Sequence, residues 1–205
     1  MIRDQRWLDW NLNSSMNDRI GFAATELERI ANDSVNKFGS LSTVQLNWKP
    51  GEQTWSVAQC FDHLITSHSL YFSVLSRLAN GDMSQTFWER RSPMGSFFGN
   101  FLIRSLDPKN TKKMKTTTKG KPSASFIDGR VIDRFRAHQV DLIEHLRSIP
   151  SGLDLAAFKI TSPLMGFVTY PIGDVVTFLP MHCQRHFNQA ERVLANRRFP
   201  IVNGG

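Results

Sequence analysis

Apolar residues recur every three or four positions along four stretches of this 205-residue chain, which is the period of an amphipathic helix. The predicted helices span residues 13–37, 56–79, 128–149 and 171–196. A Ser-x-x-Gln capping box at Ser56 and Gln59 marks the start of the second one. Four amphipathic helices joined by long connections are typical of a four-helix bundle, so the pattern predicts an all-α fold.

The connection between the second and third predicted helices, about residues 82–127, is the longest. Clustered phenylalanines and leucines predict a short helix at 97–106, and the Lys, Thr, Ser and Gly that follow predict an extended loop. Strand-like alternation is scarce, although short extended pieces remain open around 158–170. We expect one domain over residues 1–205, with a core of about 15–197 and this connection as an inserted loop region.

The net charge of +7 is concentrated in the same connection. Residues 83–127 hold nine basic and two acidic side chains, so the rest of the chain is neutral. This distribution favours a solvated basic loop and argues against nucleic acid as a partner. Binding of phosphates or an anionic membrane surface by residues 109–121 is the alternative.

The longest apolar runs are far shorter than the roughly 20 residues that a membrane-spanning helix needs. Residues 1–10 carry four charged side chains and lack the apolar core of a signal peptide. We therefore expect no membrane span and a cytoplasmic location, with Cys60 and Cys183 as reduced thiols.

Three histidines form the candidate site. His182 and His186 are four residues apart and therefore lie on one face of the fourth predicted helix, where both imidazoles can reach one metal ion. His63 has apolar neighbours on the second helix and is expected to face the core. Its alternative role is that of a core histidine hydrogen-bonded to a carbonyl group. The five-residue step from His63 turns His68 away from that face. His138 and His145 flank the apolar stripe of the third helix, which places them at the surface or at its boundary.

Several of these motifs resemble those of DinB-like proteins, which are metal-binding four-helix bundles. The resemblance covers about residues 15–197. Its N-terminal part is a tryptophan, Trp48, followed by the pair Trp55-Ser56 and by a helix that contains His63-Leu64. Its C-terminal part is the motif His-x-x-x-His-x-x-Gln at residues 182–189. The resemblance implies a divalent metal held by His63, His182 and His186, and a fold that is often dimeric, so a homodimer is expected.

Three neutral imidazoles leave a divalent ion with an open coordination position, which is the pattern of catalytic sites. Such an ion acidifies a bound water molecule or thiol. The resemblance therefore favours a small-molecule enzyme of the thiol transferase or hydrolase type, with a low-molecular-weight thiol as one candidate partner. The alternative is a non-catalytic, metal-binding helical interaction module.

Imidazole ligands suit several metals, of which we expect Zn or Ni first, with Fe, Co or Mn as alternatives. Gln59 and Gln189 are the candidates for orienting the ligand imidazoles or binding substrate. For Gln59, capping the helix is an equally good explanation. The catalytic residues themselves are not predicted beyond a water molecule or thiol bound at the metal.

Overall fold

The computed structural model describes residues 15–93, 95–108, 116–155 and 157–200. The described part of the chain is mostly helical. Its α-helices are α1 Met16–Phe38, α2 Thr43–Asn47, α3 Val57–Ser69, α4 Phe72–Ala79, α5 Phe87–Arg91, α6 Gly95–Leu106, α7 Val131–Arg147 and α8 Ile172–Leu194. A 3-10 turn spans Thr118–Gly120, and two short strands are β1 Lys159–Thr161 and β2 Thr169–Pro171.

Four of these helices surround the main core. Helix α1 packs against α7 and α8, and α3 packs against the same two helices. Each contributes side chains that are removed from solvent, among them Leu27, Phe61, Phe135 and Leu179. The rings of Phe61 and Phe135 lie 4.9 Å apart at their centroids and join α3 to α7. Burial of these apolar faces is the main source of stability for such helices.

Helix α3 begins where the sequence predicts it. The backbone N–H of Gln59 donates to the Ser56 hydroxyl at 3.2 Å, and the Gln59 side-chain oxygen accepts from the Ser56 N–H at 3.3 Å. These two bonds satisfy backbone donors that the first helical turn leaves open. They fix the start of the helix that carries His63.

The single helix predicted over 56–79 is instead two helices, α3 and α4, separated at Leu70 and Tyr71. The Tyr71 N–H donates to the carbonyl of His68 at 2.9 Å, which tightens the chain at the break. The Tyr71 hydroxyl bonds that of Tyr170 at 2.6 Å in the interior. Periodicity within one segment does not report such a tertiary contact.

The region 82–127 contains more structure than the sequence predicts. The predicted helix at 97–106 is present as α6, and α5 is additional, capped by reciprocal bonds between Thr86 and Glu89. The extended pieces left open around 158–170 are β1 and β2, which pair antiparallel with Ile160 opposite Tyr170. Helix α6 packs against β2 and α8 and so forms part of the wall around the site.

In the described part of the chain, no helix is both long enough and apolar enough to cross a membrane. Residues 109–115, which carry most of the basic loop, lie outside the described residues.

Candidate metal centre

The three predicted ligands meet between two helices. His63 lies on α3, and His182 and His186 lie one turn apart on α8. Each offers a ring nitrogen, and the three nitrogens all lie within 4.8 Å of one another. The three side chains are only 6–9% exposed. Among the described residues, the histidines, cysteines and carboxylates that could hold a metal ion come together only here.

Backbone contact fixes the tautomer of His63. Its Nδ1 contacts the carbonyl oxygen of Gly120, which can only accept a hydrogen bond, so Nδ1 carries the hydrogen. Burial lowers the pKa of His63 to about 4, although the Gly120 bond and the charge of Asp62 oppose this shift. The ring is therefore neutral at neutral pH, and its Nε2 presents an unprotonated lone pair.

The same lone pair faces His182. Nε2 of His63 lies 3.1 Å from Nε2 of His182, and Nδ1 of His182 lies 2.9 Å from Nε2 of His68. Burial lowers the pKa of His182 well below its usual value, so this ring is neutral too and has two tautomers. One donates to His63. The other tautomer donates from Nδ1 to His68. It leaves the lone pairs on Nε2 of His63 and Nε2 of His182 facing each other, an arrangement that a cation stabilises.

Behind His182, a hydrogen-bonded chain can hold the second tautomer. The Cys183 Sγ lies 3.9 Å from Nδ1 of His68 and 3.7 Å from Oε1 of Gln139. Burial raises the pKa of Cys183, so it remains a thiol that can donate to Gln139. His68 can then donate from Nδ1 to the sulfur and accept at Nε2 from His182.

The chain continues in the same direction. The Gln139 amide lies 3.3 Å from Nδ1 of His138, and Nε2 of that ring lies 3.1 Å from the Ser69 hydroxyl. The Ser69 hydroxyl donates to the Ile65 carbonyl at 2.8 Å. Each contact in this chain, from His182 to Ser69, thus pairs one donor with one acceptor while every side chain in it is neutral. In this direction each hydrogen points away from the three-histidine cluster, and Nε2 of His182 is left free to bind a cation.

His186 completes the cluster. Its ring centroid lies 4.5 Å from that of His63, and the Trp55 indole stacks on it at 5.6 Å with an interplanar angle of 24°. Burial lowers the pKa of His186 well below its usual value, which the nearby Gln189 side chain only partly offsets. Its Nδ1 is buried without a hydrogen-bond partner among the described residues. An orphaned buried nitrogen is costly, and a metal ion or a water molecule bound at Nδ1 would remove that cost.

These observations fit a divalent metal. Two nitrogen ligands at about 2.0–2.1 Å from a tetrahedral ion lie about 3.3–3.4 Å apart. The 3.1 Å between the Nε2 atoms of His63 and His182 is close to that value. Both rings are neutral, as metal ligands must be, and each has a partner on its other nitrogen, as metal-bound imidazoles usually do.

The cluster forms one wall of a cavity of about 1040 Å³. Helix α6, the segment around the 3-10 turn, the loop before β2 and the outer half of α8 supply the other walls. The lining includes both hydroxyl-bearing rings of the Tyr71–Tyr170 pair and the apolar side chains Leu102, Leu106, Leu164 and Met165. A cavity of this size and character is typical of sites for small molecules.

The two glutamines predicted near the site both line this cavity. Gln59 caps α3, and its amide also lies 3.3 Å from the carbonyl of Ala124, so it ties the helix to the segment 116–125. Gln189 lies beside His186. Asp62 points away from the cluster, where it accepts from the Ser123 N–H at 2.6 Å and pairs with Arg134 at 3.0 Å.

The prediction that His138 lies at the surface or its boundary is wrong, because His138 is buried. His68 is buried as well, and its Nε2 contacts His182. The five-residue step from His63 to His68 turns the side chain away from that face of α3, so the spacing did not join His68 to the candidate site. A signal was present nonetheless: Phe61, Leu64 and His68 follow the helical spacing of three and seven residues and share an apolar stripe.

A mostly helical fold with a three-histidine group that can hold a metal ion defines the class of this protein as a helical, candidate metal-binding protein. Comparison with protein families gives the narrower assignment: residues 26–190 match the model of the DinB superfamily. The chain belongs to that superfamily, which confirms the resemblance noted from the sequence motifs. Comparisons with curated proteins and with solved structures give no significant match.

Proposed function

We propose that this protein is a divalent-metal-dependent enzyme that acts on a small molecule, as a thiol transferase or a hydrolase. His63, His182 and His186 would hold the metal, with Zn or Ni expected first and Fe, Co or Mn as alternatives. When bound, a divalent ion supplies Lewis acidity, which lowers the pKa of a water molecule or thiol at its open position.

The observation that carries the proposal is the position of the three imidazoles at the wall of a large cavity. Structural metal sites are closed by four protein ligands, whereas catalytic sites have three and keep one position open. The cluster in the described part of the chain has three potential ligands. Its open side faces a cavity of about 1040 Å³, which is large enough for a substrate.

The residues around the cluster have defined tasks in this proposal. Gly120 and His68 orient the ring nitrogens of His63 and His182. Trp55 covers the face of His186 and keeps water from that side of the ring. Tyr71 and Tyr170 also line the cavity, and burial raises the pKa of both phenols, so they remain protonated. Because one hydroxyl donates to the other, only the hydrogen of the accepting hydroxyl is left for a bound oxygen atom.

Metal analysis tests the proposal. Protein purified without a metal-affinity tag should contain near-stoichiometric divalent metal by elemental analysis. A His182→Ala, His186→Ala double variant should lack it while retaining its helical circular dichroism. His145→Ala is the matched control, because it removes a histidine of α7 that does not line the cavity. Absence of metal from the wild type, even after reconstitution with Zn or Ni, would refute the metal-dependent proposal.

A second measurement separates the enzyme from the alternative, a non-catalytic helical module that uses metal only for its structure. An open site should give a Co(II) absorption spectrum that changes when azide or a small thiol is added. It should also release metal to a chelator without unfolding. A spectrum that ignores both additives, together with unfolding on metal removal, would favour the interaction module.

We also propose, as finer features of the fold, that α1, α3, α7 and α8 form a DinB-like four-helix bundle in one domain spanning residues 1–205. A homodimer and a cytoplasmic location stay predictions. Sedimentation equilibrium would test the first of them, since a single species of monomer mass at micromolar concentration would contradict it.

A further inference from the structure

Large aromatic side chains are exposed together on one part of the surface. Among the described residues, eight large apolar side chains are exposed, and five of them lie on α5, α6 and the loop 162–168 between β1 and β2. These five form the aromatic patch: Phe87, Trp88, Phe97, Phe101 and Phe167. Each is more than half exposed, so the fold buries none of them.

Contacts between the three elements bring the five rings onto one surface. The Trp88 indole N–H donates to the Phe167 carbonyl at 3.3 Å, which joins α5 to the loop. Helix α5 packs against β1, α6 packs against β2, and the two strands are paired side by side. On α6, Phe97 and Phe101 are four residues apart and share one face. Exposed apolar patches of this kind mark surfaces that bind a partner.

Helix α6 is apolar on two sides. Its Leu102 and Leu106 line the cavity, and Phe98 packs against the core. A helix that buries only one face normally carries polar residues on the other. The outer face of α6 instead carries Phe97 and Phe101, so packing within the chain does not account for these two rings.

Basic side chains surround the aromatic patch. The Arg91 guanidinium lies 5.9 Å from the centre of the Phe87 ring, and Arg104 lies on the outer face of α6, seven residues after Phe97. Lys119 reaches the loop, where its Nζ lies 3.4 Å from the carbonyl oxygen at position 163. All three basic side chains are exposed.

The acidic side chains of the same region are engaged elsewhere. Residues 83–127 hold nine basic and two acidic side chains. Glu89 caps α5 and accepts from the Thr161 N–H at 2.8 Å, and Asp107 lies close to Arg185. The surface around the patch is therefore positive. A second copy of the chain would bring like charges together across a two-fold contact, which disfavours it as the occupant.

We propose that the aromatic patch and the basic side chains around it bind the surface of a membrane that contains anionic lipid. Tryptophan and phenylalanine rings enter the headgroup region of a bilayer, and arginine and lysine are attracted to anionic headgroups beside them. The contact is peripheral, because the rings reach the headgroup region while the core of the fold stays outside the bilayer. It requires neither the metal nor its ligands, so it stands apart from the proposed function.

Sedimentation with lipid vesicles tests the inference in the full chain. The protein should sediment with vesicles of equal parts phosphatidylcholine and phosphatidylglycerol, and far less with phosphatidylcholine alone. Added salt should weaken the binding, because it screens the headgroup charges. An Arg91→Gln, Arg104→Gln double variant should lose about 25-fold in affinity, at roughly fivefold for each charge. A Phe97→Ser, Phe101→Ser double variant should lose about tenfold or more.

Phe126→Ser and Arg136→Gln are the matched controls, because both residues are exposed and lie outside α5, α6 and the loop 162–168. Both control variants should bind vesicles as the wild type does. Trp88 supplies a direct readout, since its fluorescence should shift to shorter wavelength when it enters the headgroup region. Trp88→Phe should lose most of this shift and still bind.

Several results would overturn the inference. Equal binding to neutral and anionic vesicles would do so, as would equal losses in the patch and control variants. A dimer that the Phe97→Ser, Phe101→Ser variant dissociates, with no vesicle binding by the wild type, would assign the patch to a second copy of the chain. Binding of a single-stranded oligonucleotide in place of vesicles would assign it to nucleic acid.

Discussion

Replacing His68 by phenylalanine removes the hydrogen-bond acceptor behind His182 while keeping a planar ring in the buried space. In the wild type, Nδ1 of His182 lies 2.9 Å from Nε2 of His68. In the variant, the tautomer that binds metal would leave a buried N–H without a partner, at a cost of about 1–3 kcal/mol. The other tautomer, which donates to His63, would be favoured and would compete with the metal. Both effects lower metal affinity.

The expected loss is about 10–100-fold, the usual effect of removing the partner of a metal-bound histidine. Competition between the protein and a chromogenic chelator for Zn measures the affinity. Long-range ¹H–¹⁵N spectra of the imidazoles report which nitrogen of His182 carries the hydrogen. His68→Gln should restore most of the affinity, because its side-chain oxygen can accept in place of Nε2. His145→Phe is the matched control, since His145 takes no part in this chain.

Two results would refute the reasoning about His68. One is unchanged Zn affinity in a folded His68→Phe protein. The other is equal loss in the phenylalanine and glutamine variants, which would show that the imidazole acts through packing and not as an acceptor. The tautomer spectra separate these cases, because a purely structural role would leave the hydrogen on the same nitrogen of His182.

Stability should fall with acidification. Burial lowers the pKa of His138 from 6.5 to about 4. Between these two pH values, His138 is protonated in the unfolded chain but not in the folded one. The free energy of unfolding of the metal-free protein therefore falls by about 1.4 kcal/mol for each pH unit of acidification because of this residue. Urea denaturation at several pH values should show a shallower slope in His138→Phe, and an unchanged slope would contradict the assignment. Gly21→Ala should raise the free energy of unfolding by about 0.5–1 kcal/mol, because an added Cβ on α1 meets no atom within 4 Å. Gly99→Ala should lower the free energy of unfolding by about 1–3 kcal/mol, because the added Cβ would lie 1.8 Å from the Asp174 carboxylate. If thermal unfolding shows that the Gly99 variant is more stable than the Gly21 variant, both predictions are refuted.

The long helices and the three histidines could be predicted from local spacing. The capping box at Ser56 and the apolar stripes of α1, α7 and α8 are properties of one segment each, and they locate those helices to within a few residues. The position of His63 on an inward stripe and the four-residue step from His182 to His186 place all three rings on inward faces. The structure then brings these rings together.

The remaining features depend on contacts between distant segments. The break at Tyr71 coincides with a hydroxyl contact to Tyr170, about a hundred residues later. The chain from His68 through Cys183 to Gln139 joins three helices, and no pattern within one helix reports it. The described residues that line the cavity include arginines but no aspartate or glutamate. Predicting this from the sequence would require knowing which side chains share a cavity wall.

The partner of His63 is a backbone atom, the carbonyl oxygen of Gly120. Every amino acid carries that oxygen, so substitutions that leave the local backbone path intact preserve the contact, and alanine scanning would pass over it. What the contact requires is a particular path of the chain between α6 and α7. Inserting or deleting a single residue in the segment 116–125 would therefore disturb His63 more than most side-chain replacements there. Among related chains, the length of this connection is a better guide to an intact site than its composition.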